Sequence, residues 1–228
     1  SNERNFMFKH VDHGHIFEEL SAEITDKGRM YTTPSGQILP SVTTVLGVQD
    51  KSGLDRWRKR VGEEEANRVM NQAATRGTAV HQLAEDYVNN AVDWNKGAMP
   101  ANLFTFNTIK PLLDQRLDNV WIQEAPLYSE RLSVAGRVDC IAEWDGQLSI
   151  IDYKTSRRPK KLEYVQSYFI QESVYAAMFF ERTGVPIKQI VTVIAVDDND
   201  PQVYIEKPMD HLHKFIALRK KYKDINNI

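Results

Sequence analysis

The chain has 228 residues, 42% hydrophobic and 26% charged, a composition that builds a core without cross-links and excludes disordered and fibrous classes. Its 29 basic residues against 31 acidic ones leave a net charge of −2, which excludes coating of nucleic acid by bulk charge and leaves local basic clusters for any such contact. The one cysteine, Cys140, rules out an intramolecular disulfide, a thiolate zinc cage and a four-cysteine iron–sulfur cluster.

Taken in order, Met30 to Leu39 alternates around Pro34-Ser35-Gly36 and predicts a hairpin, after which Ser41 is placed to cap a short helix over Val42 to Leu46. A charged helix is expected over Gly53 to Ala74. A second, over Thr78 to Ala91 with Gly77 just before it, follows from the helical spacing of Val80, Ala84, Tyr87, Val88 and Ala91. Asn102 to Val120 reads as helix, Trp121 to Tyr128 and Val134 to Tyr153 as strands, and Tyr164 to Thr183 as an apolar helix stopped by Gly184. Ile190 to Val196 and Val203 to Glu206 are further strands, and Leu212, Phe215, Ile216 and Tyr222 give a closing helix its apolar stripe. These elements make an α/β fold with a central mixed sheet flanked by helices. No repeat, linker, membrane span or signal peptide interrupts it, so one domain is expected over residues 1–228, with 1–38 as an extension packed on the core. The lone thiol points to a reducing compartment: the cytoplasm, with an organellar matrix as the alternative.

The most informative segment runs from Gly136 to Thr155, where Asp145-Gly146 is the dipeptide favoured in a two-residue type I′ turn. If Trp144 pairs with Gln147, Ile141 faces Ile150, Asp139 faces Asp152 and Arg137 faces Lys154, with those four polar residues on one side of the hairpin. Two carboxylates would then stand about 4.5–5.5 Å apart between their Cβ atoms, which destabilises a sheet unless positive charge lies between them. A hard divalent cation, Mg²⁺ or Mn²⁺, suits such a pair, with Lys154 placed to orient a water or stabilise developing charge. The plainer alternative is a surface hairpin in which the acids pair with Arg137, Lys154 or another cation. His10, Asp12, His13 and His15 crowd near the terminus and read as surface residues; Trp57, between Arg56 and Arg58, reads as a buried indole.

Gly136-Arg137-Val138-Asp139 and Ile151-Asp152-Tyr153-Lys154-Thr155 resemble two motifs of the PD-(D/E)xK nucleases, RecB-like branch. Two further pieces follow the branch's order: Arg76-Gly77-Thr78-Ala79-Val80-His81, with Glu85 one turn on, and the Gln-x-x-x-Tyr pattern of Gln171 and Tyr175. Leu39-Pro40-Ser41-Val42-Thr43, Arg56-Trp57-Arg58 and Asp139-Cys140-Ile141-Ala142-Glu143 are similar to a narrower group, the mitochondrial genome maintenance exonucleases and their phage relatives. The resemblance implies a restriction-endonuclease-like core and a metal-dependent deoxyribonuclease, an exonuclease on single-stranded DNA with a free end. It implies that His81, Asp139 and Asp152 hold one or two Mg²⁺ or Mn²⁺ ions and that Lys154 is the catalytic lysine. Gln171, Tyr175, Ser41, Thr43, Arg157 and Arg158 would meet DNA, with Glu85 and Glu124 as additional acids. A structure-specific flap endonuclease and a non-catalytic DNA-binding module are the alternatives. No nucleotide-binding Gly-x-x-x-x-Gly-Lys loop occurs, so no nucleotide cofactor is expected, and the chain is expected to act as a monomer without membrane contact. The long leading segment of the mitochondrial members has no counterpart here, which favours a bacterial or phage source.

Overall fold

A computed structural model describes residues 7–228, so residues 1–6 of the expected extension lie outside the described residues. Strands β1 (Ser21–Thr25), β2 (Gly28–Thr32) and β3 (Ile38–Pro40) form a small antiparallel sheet in that order, and its second hairpin is the one expected around Pro34-Ser35-Gly36. Ser41 then caps α1 (Val42–Leu46), its hydroxyl accepting the Thr44 N–H at 3.1 Å.

The next two helices, α2 (Ser52–Val61) and α3 (Glu63–Val88), are divided differently from the expectation. The break falls at Gly62, whose φ of +91° is a conformation glycine tolerates and other residues rarely adopt. Gly77 does not start a helix; α3 runs through it for 26 residues, because Val80, Leu83, Ala84, Tyr87 and Val88 bury the helix's second half against the sheet. The first half is largely exposed and α2 buries no side chain, so the two form a projecting helical hairpin, tied by Arg58 to Glu63 and Asn67 at 2.9 and 3.0 Å. Trp57 is only half-buried there, contrary to the buried indole expected.

The expected helix over Asn102 to Val120 is instead α4 (Pro100–Asn107), α5 (Lys110–Arg116) and the start of a strand at Leu117. Pro111 lacks the N–H that a continuing helix would need, so it opens a new one. The main sheet follows: β4 (Leu117–Ser129), β5 (Val134–Trp144), β6 (Gln147–Ser156), β7 (Gln189–Val196) and β8 (Gln202–Glu206), adjacent in chain order. Only β6 and β7 are parallel, and α6 (Gln166–Thr183) makes the crossover, ending at Gly184 in the left-handed region. The fold is therefore α/β with a mixed five-stranded sheet flanked by helices, as expected. Because β6 and β7 lie in the sheet's interior, Ile150, Ile151, Val191 and Val193 are all fully buried, which explains runs without polar alternation. One apolar cluster packs α6, α1 and the closing helix α7 (Leu212–Asn226) on one face of the sheet; another packs α3, α4 and α5 on the other. On α7, Phe215 and Tyr222 are buried, but Ile216 of the expected stripe is 52% exposed.

Asp145 and Gly146 both have positive φ, 53° and 80°, as a type I′ turn demands. The register runs from Trp144↔Gln147 to Cys140↔Ile151, matching the expectation over that stretch. Beyond it the two strands part. The outer edge of β4 is covered by the chain's beginning: Val11 N–H donates to Val120 O and Val120 N–H to Lys9 O, each at 2.7 Å. His10 and His13 bond the backbone carbonyls of Val88 and Trp121 at 2.9 and 2.8 Å. Among the described residues no helix is long and apolar enough to cross a membrane.

Cys140 is fully buried between the sheet and α3, and burial pushes its thiol well above the ordinary range. Native protein should therefore leave Ellman's reagent unreacted at pH 8 and react fully once denatured; prompt reaction of the native protein would mean that this half of the core opens readily.

Candidate active site in the fork between two strands

Where β5 and β6 separate, the Asp139 carboxylate enters the gap and accepts the Tyr153 backbone N–H at 2.9 Å through Oδ2. The expected pairings of Asp139 with Asp152 and of Arg137 with Lys154, all on one side of the hairpin, are thereby replaced. Arg137 turns away and donates to Glu19 at 2.9 and 3.0 Å and to Glu124 at 3.1 Å. Glu124 itself sits opposite Asp139 on β4 with a φ of 49°, a left-handed backbone that interrupts the β4–β5 ladder at this point.

From the α3 side, His81 meets Asp139 with Nε2 at 3.0 Å from Oδ2, while Nδ1 lies 2.7 Å from the Gly77 carbonyl. A carbonyl and a carboxylate both accept, so both ring nitrogens donate and the imidazole is cationic. Burial opposes that charge, but the Asp139 hydrogen bond and the charges of Asp139 and Asp152 outweigh it and raise His81 to about 9. Asp139 is correspondingly held low despite its burial, by His81, Lys154 and the Tyr153 N–H.

Asp152 and Lys154 point to the opposite face, toward α6, as Ile150 does. Asp152 is 2% exposed, and burial together with Asp139 pushes it up to about 6, while Lys154 pulls it down. Lys154 Nζ lies 2.8 Å from Asp152 Oδ2 as an ion pair that does not meet hydrogen-bond geometry, so that buried oxygen accepts no hydrogen bond. Against its burial, Asp152 and Asp139 hold the ammonium firmly protonated. The ammonium donates to Gln171 Oε1 at 3.0 Å, and Gln171 Nε2 donates to the Tyr175 hydroxyl at 2.9 Å. Gln171 and Tyr175 are thus buried beside Lys154, 8% and 3% exposed.

The structure therefore brings His81, Asp139, Asp152 and Lys154 into one fork, with Gln171 and Tyr175 behind the lysine. Glu85 and Glu124 stand beside it. Glu124 is pushed up to about 7 by burial and by Asp139 and Glu85, and Glu85 is raised by burial, Asp86 and Asp139. Ser41 is buried, with its hydroxyl spent on the α1 cap, whereas Thr43 is exposed. Arg157 and Arg158 are exposed just past β6, Arg157 reaching Gln72 of α3 at 3.3 Å. Among the described residues no three His, Cys, Asp or Glu side chains converge on a single point, since His81 is engaged by Asp139. The donor set nevertheless suits a hard cation: the buried Asp152, with an oxygen free of hydrogen bonds, the half-buried Asp139, and an imidazole whose Nε2 becomes a donor once a cation displaces its proton.

Sequence reading missed Glu172, which is fully buried on α6, with Thr192 Oγ1 of β7 at 2.9 and 2.6 Å from its two oxygens. A hydroxyl has one proton, so both contacts are hydrogen bonds when the acid keeps its own. Burial, and then Asp152, indeed raise Glu172 well above the ordinary carboxylate range. A charged residue inside the apolar run from Phe169 to Phe180 was the signal available in the sequence. Also unforeseen was the anchor of α3, in which Arg76 pairs with Asp197 after β7, and Asp197 accepts from Thr105 of α4 at 3.0 Å.

A model of the PD-(D/E)XK nuclease superfamily matches residues 104–218. Mitochondrial genome maintenance exonuclease 1 of Homo sapiens is 28% identical over 142 residues, covering 58% of this chain and 40% of that protein. Its Xenopus tropicalis counterpart is 29% identical over 140 residues, covering 58% and 39%. The chain thus spans about two fifths of the length of these relatives. A solved Eubacterium rectale structure with a provisional exonuclease assignment superposes with a TM-score of 0.44 at 15% identity, covering 67% of this chain and 68% of that one.

Gly136 lies where a Cβ would stand 3.0 Å from Tyr175 Cε1 and 3.2 Å from Val42 Cγ2. Gly136→Val should destabilise the fold by about 1–3 kcal/mol in urea titrations; a neutral effect would show that α1 and Tyr175 yield freely. Glu172 supplies a pH-dependent expectation. Its folded pKa lies above the unfolded value, so its contribution is fully present below about 4.3 and is lost as pH rises from there toward the folded value. Glu172→Gln removes that loss, so its stability gain should grow between pH 5 and pH 7.5, by up to about 1.4 kcal/mol per unit. A gain independent of pH would mean that Glu172 is ionised in the fold.

Proposed function

The chain belongs to the PD-(D/E)XK nuclease superfamily, and from that premise we propose that it is a divalent-metal-dependent deoxyribonuclease, an exonuclease that hydrolyses single-stranded DNA from a free end during replication, repair or recombination. The observation that carries the reading is the fork itself, where His81, Asp139, Asp152 and Lys154 stand together on elements that approach from both faces of the sheet. The whole chain is read as one nuclease domain, with the described part of its leading segment, residues 7–38, packed on its core. Its compartment is the cytoplasm or, as the names of the similar exonucleases suggest, the mitochondrial matrix.

His81, Asp139 and Asp152 are the residues that would hold one or two Mg²⁺ or Mn²⁺ ions. Such a cation, when bound, neutralises phosphate charge and makes water a better nucleophile near neutral pH. Lys154, kept protonated by the two acids, places its ammonium on the scissile phosphate and orients the attacking water. Gln171 and Tyr175 fix the direction of that ammonium. Water adds to phosphorus, the bond to the 3′ oxygen breaks and that oxygen takes a proton, leaving a 5′ phosphate and a 3′ hydroxyl. Burial keeps competing water from the acids and strengthens each charge contact. Thr43, Arg157 and Arg158 meet phosphates of the entering strand. The projecting α2–α3 hairpin, which reaches Arg157 through Gln72, supports entry of a strand by its end.

A time course on end-labelled single-stranded DNA with Mg²⁺, with EDTA, and with Asp152→Ala or Lys154→Ala tests the reading. Stepwise shortening is expected only with metal, at least about 100-fold slower in either variant, with circular single strands spared. Full activity in either variant would sink the assignment, and cutting of circles would move it to an endonuclease.

A further inference from the structure

Tyr168 lies on the first turn of α6, on the helical face shared by Gln171, Glu172 and Tyr175. Its ring meets two ammoniums: Lys154 Nζ is 4.8 Å from the centroid and Lys160 Nζ is 5.8 Å from it. Lys160 belongs to the loop that leaves β6, and that loop is pinned at this residue. The Lys160 N–H donates to Gln202 Oε1 at 2.8 Å, while its carbonyl accepts from Gln202 Nε2 at 2.9 Å and from the Tyr204 hydroxyl at 3.0 Å. Tyr204 packs edge-on against Phe169, the next residue of α6, with centroids 5.8 Å apart. Strand β8 thus fixes the loop's backbone relative to the helix that carries Tyr168.

The two lysines are not equivalent. Lys154 has Asp152 as its counter-ion at 2.8 Å, whereas none of the ion pairs among the described residues uses Lys160. A half-buried cation held over an aromatic face keeps its remaining N–H groups for an anion. Arg157 and Arg158 of the same loop are exposed and lack the Lys160 anchorage.

We propose that Lys160, positioned by the ring of Tyr168, is a second phosphate subsite, which receives the phosphate next to the scissile one on a single polynucleotide strand. The ligand is a chain of at least two phosphodiesters, and Tyr168 is a positioning residue that holds both ammoniums at its ring. This inference rests on the nuclease reading for the place of the scissile phosphate at Lys154. It explains why the loop beyond the active strand is both basic and rigidly held at one point.

The test is fluorescence anisotropy of a labelled oligothymidylate in EDTA over a salt series, with cleavage of the same oligonucleotide in Mg²⁺ measured beside it. Lys160→Gln should bind several-fold more weakly at low salt and lower the slope of log K against log salt by about 0.7, the loss of one phosphate contact on a single strand. Tyr168→Leu should lose most of the same slope, and Tyr168→Phe, which keeps the ring, should restore it. Lys188→Gln, at the far end of β7, serves as the control and should leave the slope unchanged. An unchanged slope in Lys160→Gln, or an equal loss in the Lys188 control, overturns the subsite. Wild-type protein that binds but never cleaves overturns the nuclease reading, and in that case the slope still decides whether Lys160 holds a phosphate.

Discussion

Two carboxylates in one fork of a β-sheet, one buried and one half-buried, repel each other, and the surrounding structure is arranged to supply positive charge on both sides of them. Helix α3 brings a cationic imidazole to Asp139 from one face, and β6 itself brings an ammonium to Asp152 on the other. Without those partners the buried acids would cost several kcal/mol each. The same pressure explains Glu172, which has no cation of its own at hydrogen-bond distance and is stabilised by keeping its proton against Thr192. Glu124 is a milder case, raised to about 7 although Arg137 donates to it. A site that tolerates this much like charge is one whose natural complement is cationic, which is what the metal-dependent reading requires.

Much of this was legible in the sequence because hairpin geometry is local. Asp145-Gly146 sets the turn and the turn sets the register, which holds as far as Cys140 and Ile151, one pair short of Asp139 and Asp152. What could not be read was where the ladder stops. Beside the fork lie a left-handed backbone at Glu124 and Arg137 turned to Glu19, a partner distant in sequence. Helix limits failed for a related reason: glycine is permissive, and packing decides its use. At Gly62 the chain takes the positive φ and breaks, whereas at Gly77 it stays helical because the following residues are buried. The strand that begins at Leu117 was concealed by apolar residues that fit a helix equally well until Pro111 is given weight.

Helix α6 gathers several of these dependences on one face. Tyr168, Gln171, Glu172 and Tyr175 recur at helical spacing, so a single rigid element contacts the lysine, its loop, Thr192 of β7 and the glycine of β5. Membership of the PD-(D/E)XK nuclease superfamily is consistent with this economy: strands supply Asp139, Asp152 and Lys154, and one helix packs behind the lysine.

Helix α3 has a mechanical character that follows from its continuity. It is about 39 Å long, since 26 residues rise about 1.5 Å each. Its firm attachment is at Arg76, tied to Asp197, with about 20 Å of exposed helix on one side and about 7 Å between that tie and His81 on the other. Beyond that tie Val80, Leu83, Ala84, Tyr87 and Val88 clamp the helix to the sheet, so the helix is a cantilever: a sideways load on its projecting tip is carried as a bending moment at the Arg76 tie, and the tip and the half-buried imidazole at the fork share one continuous helix.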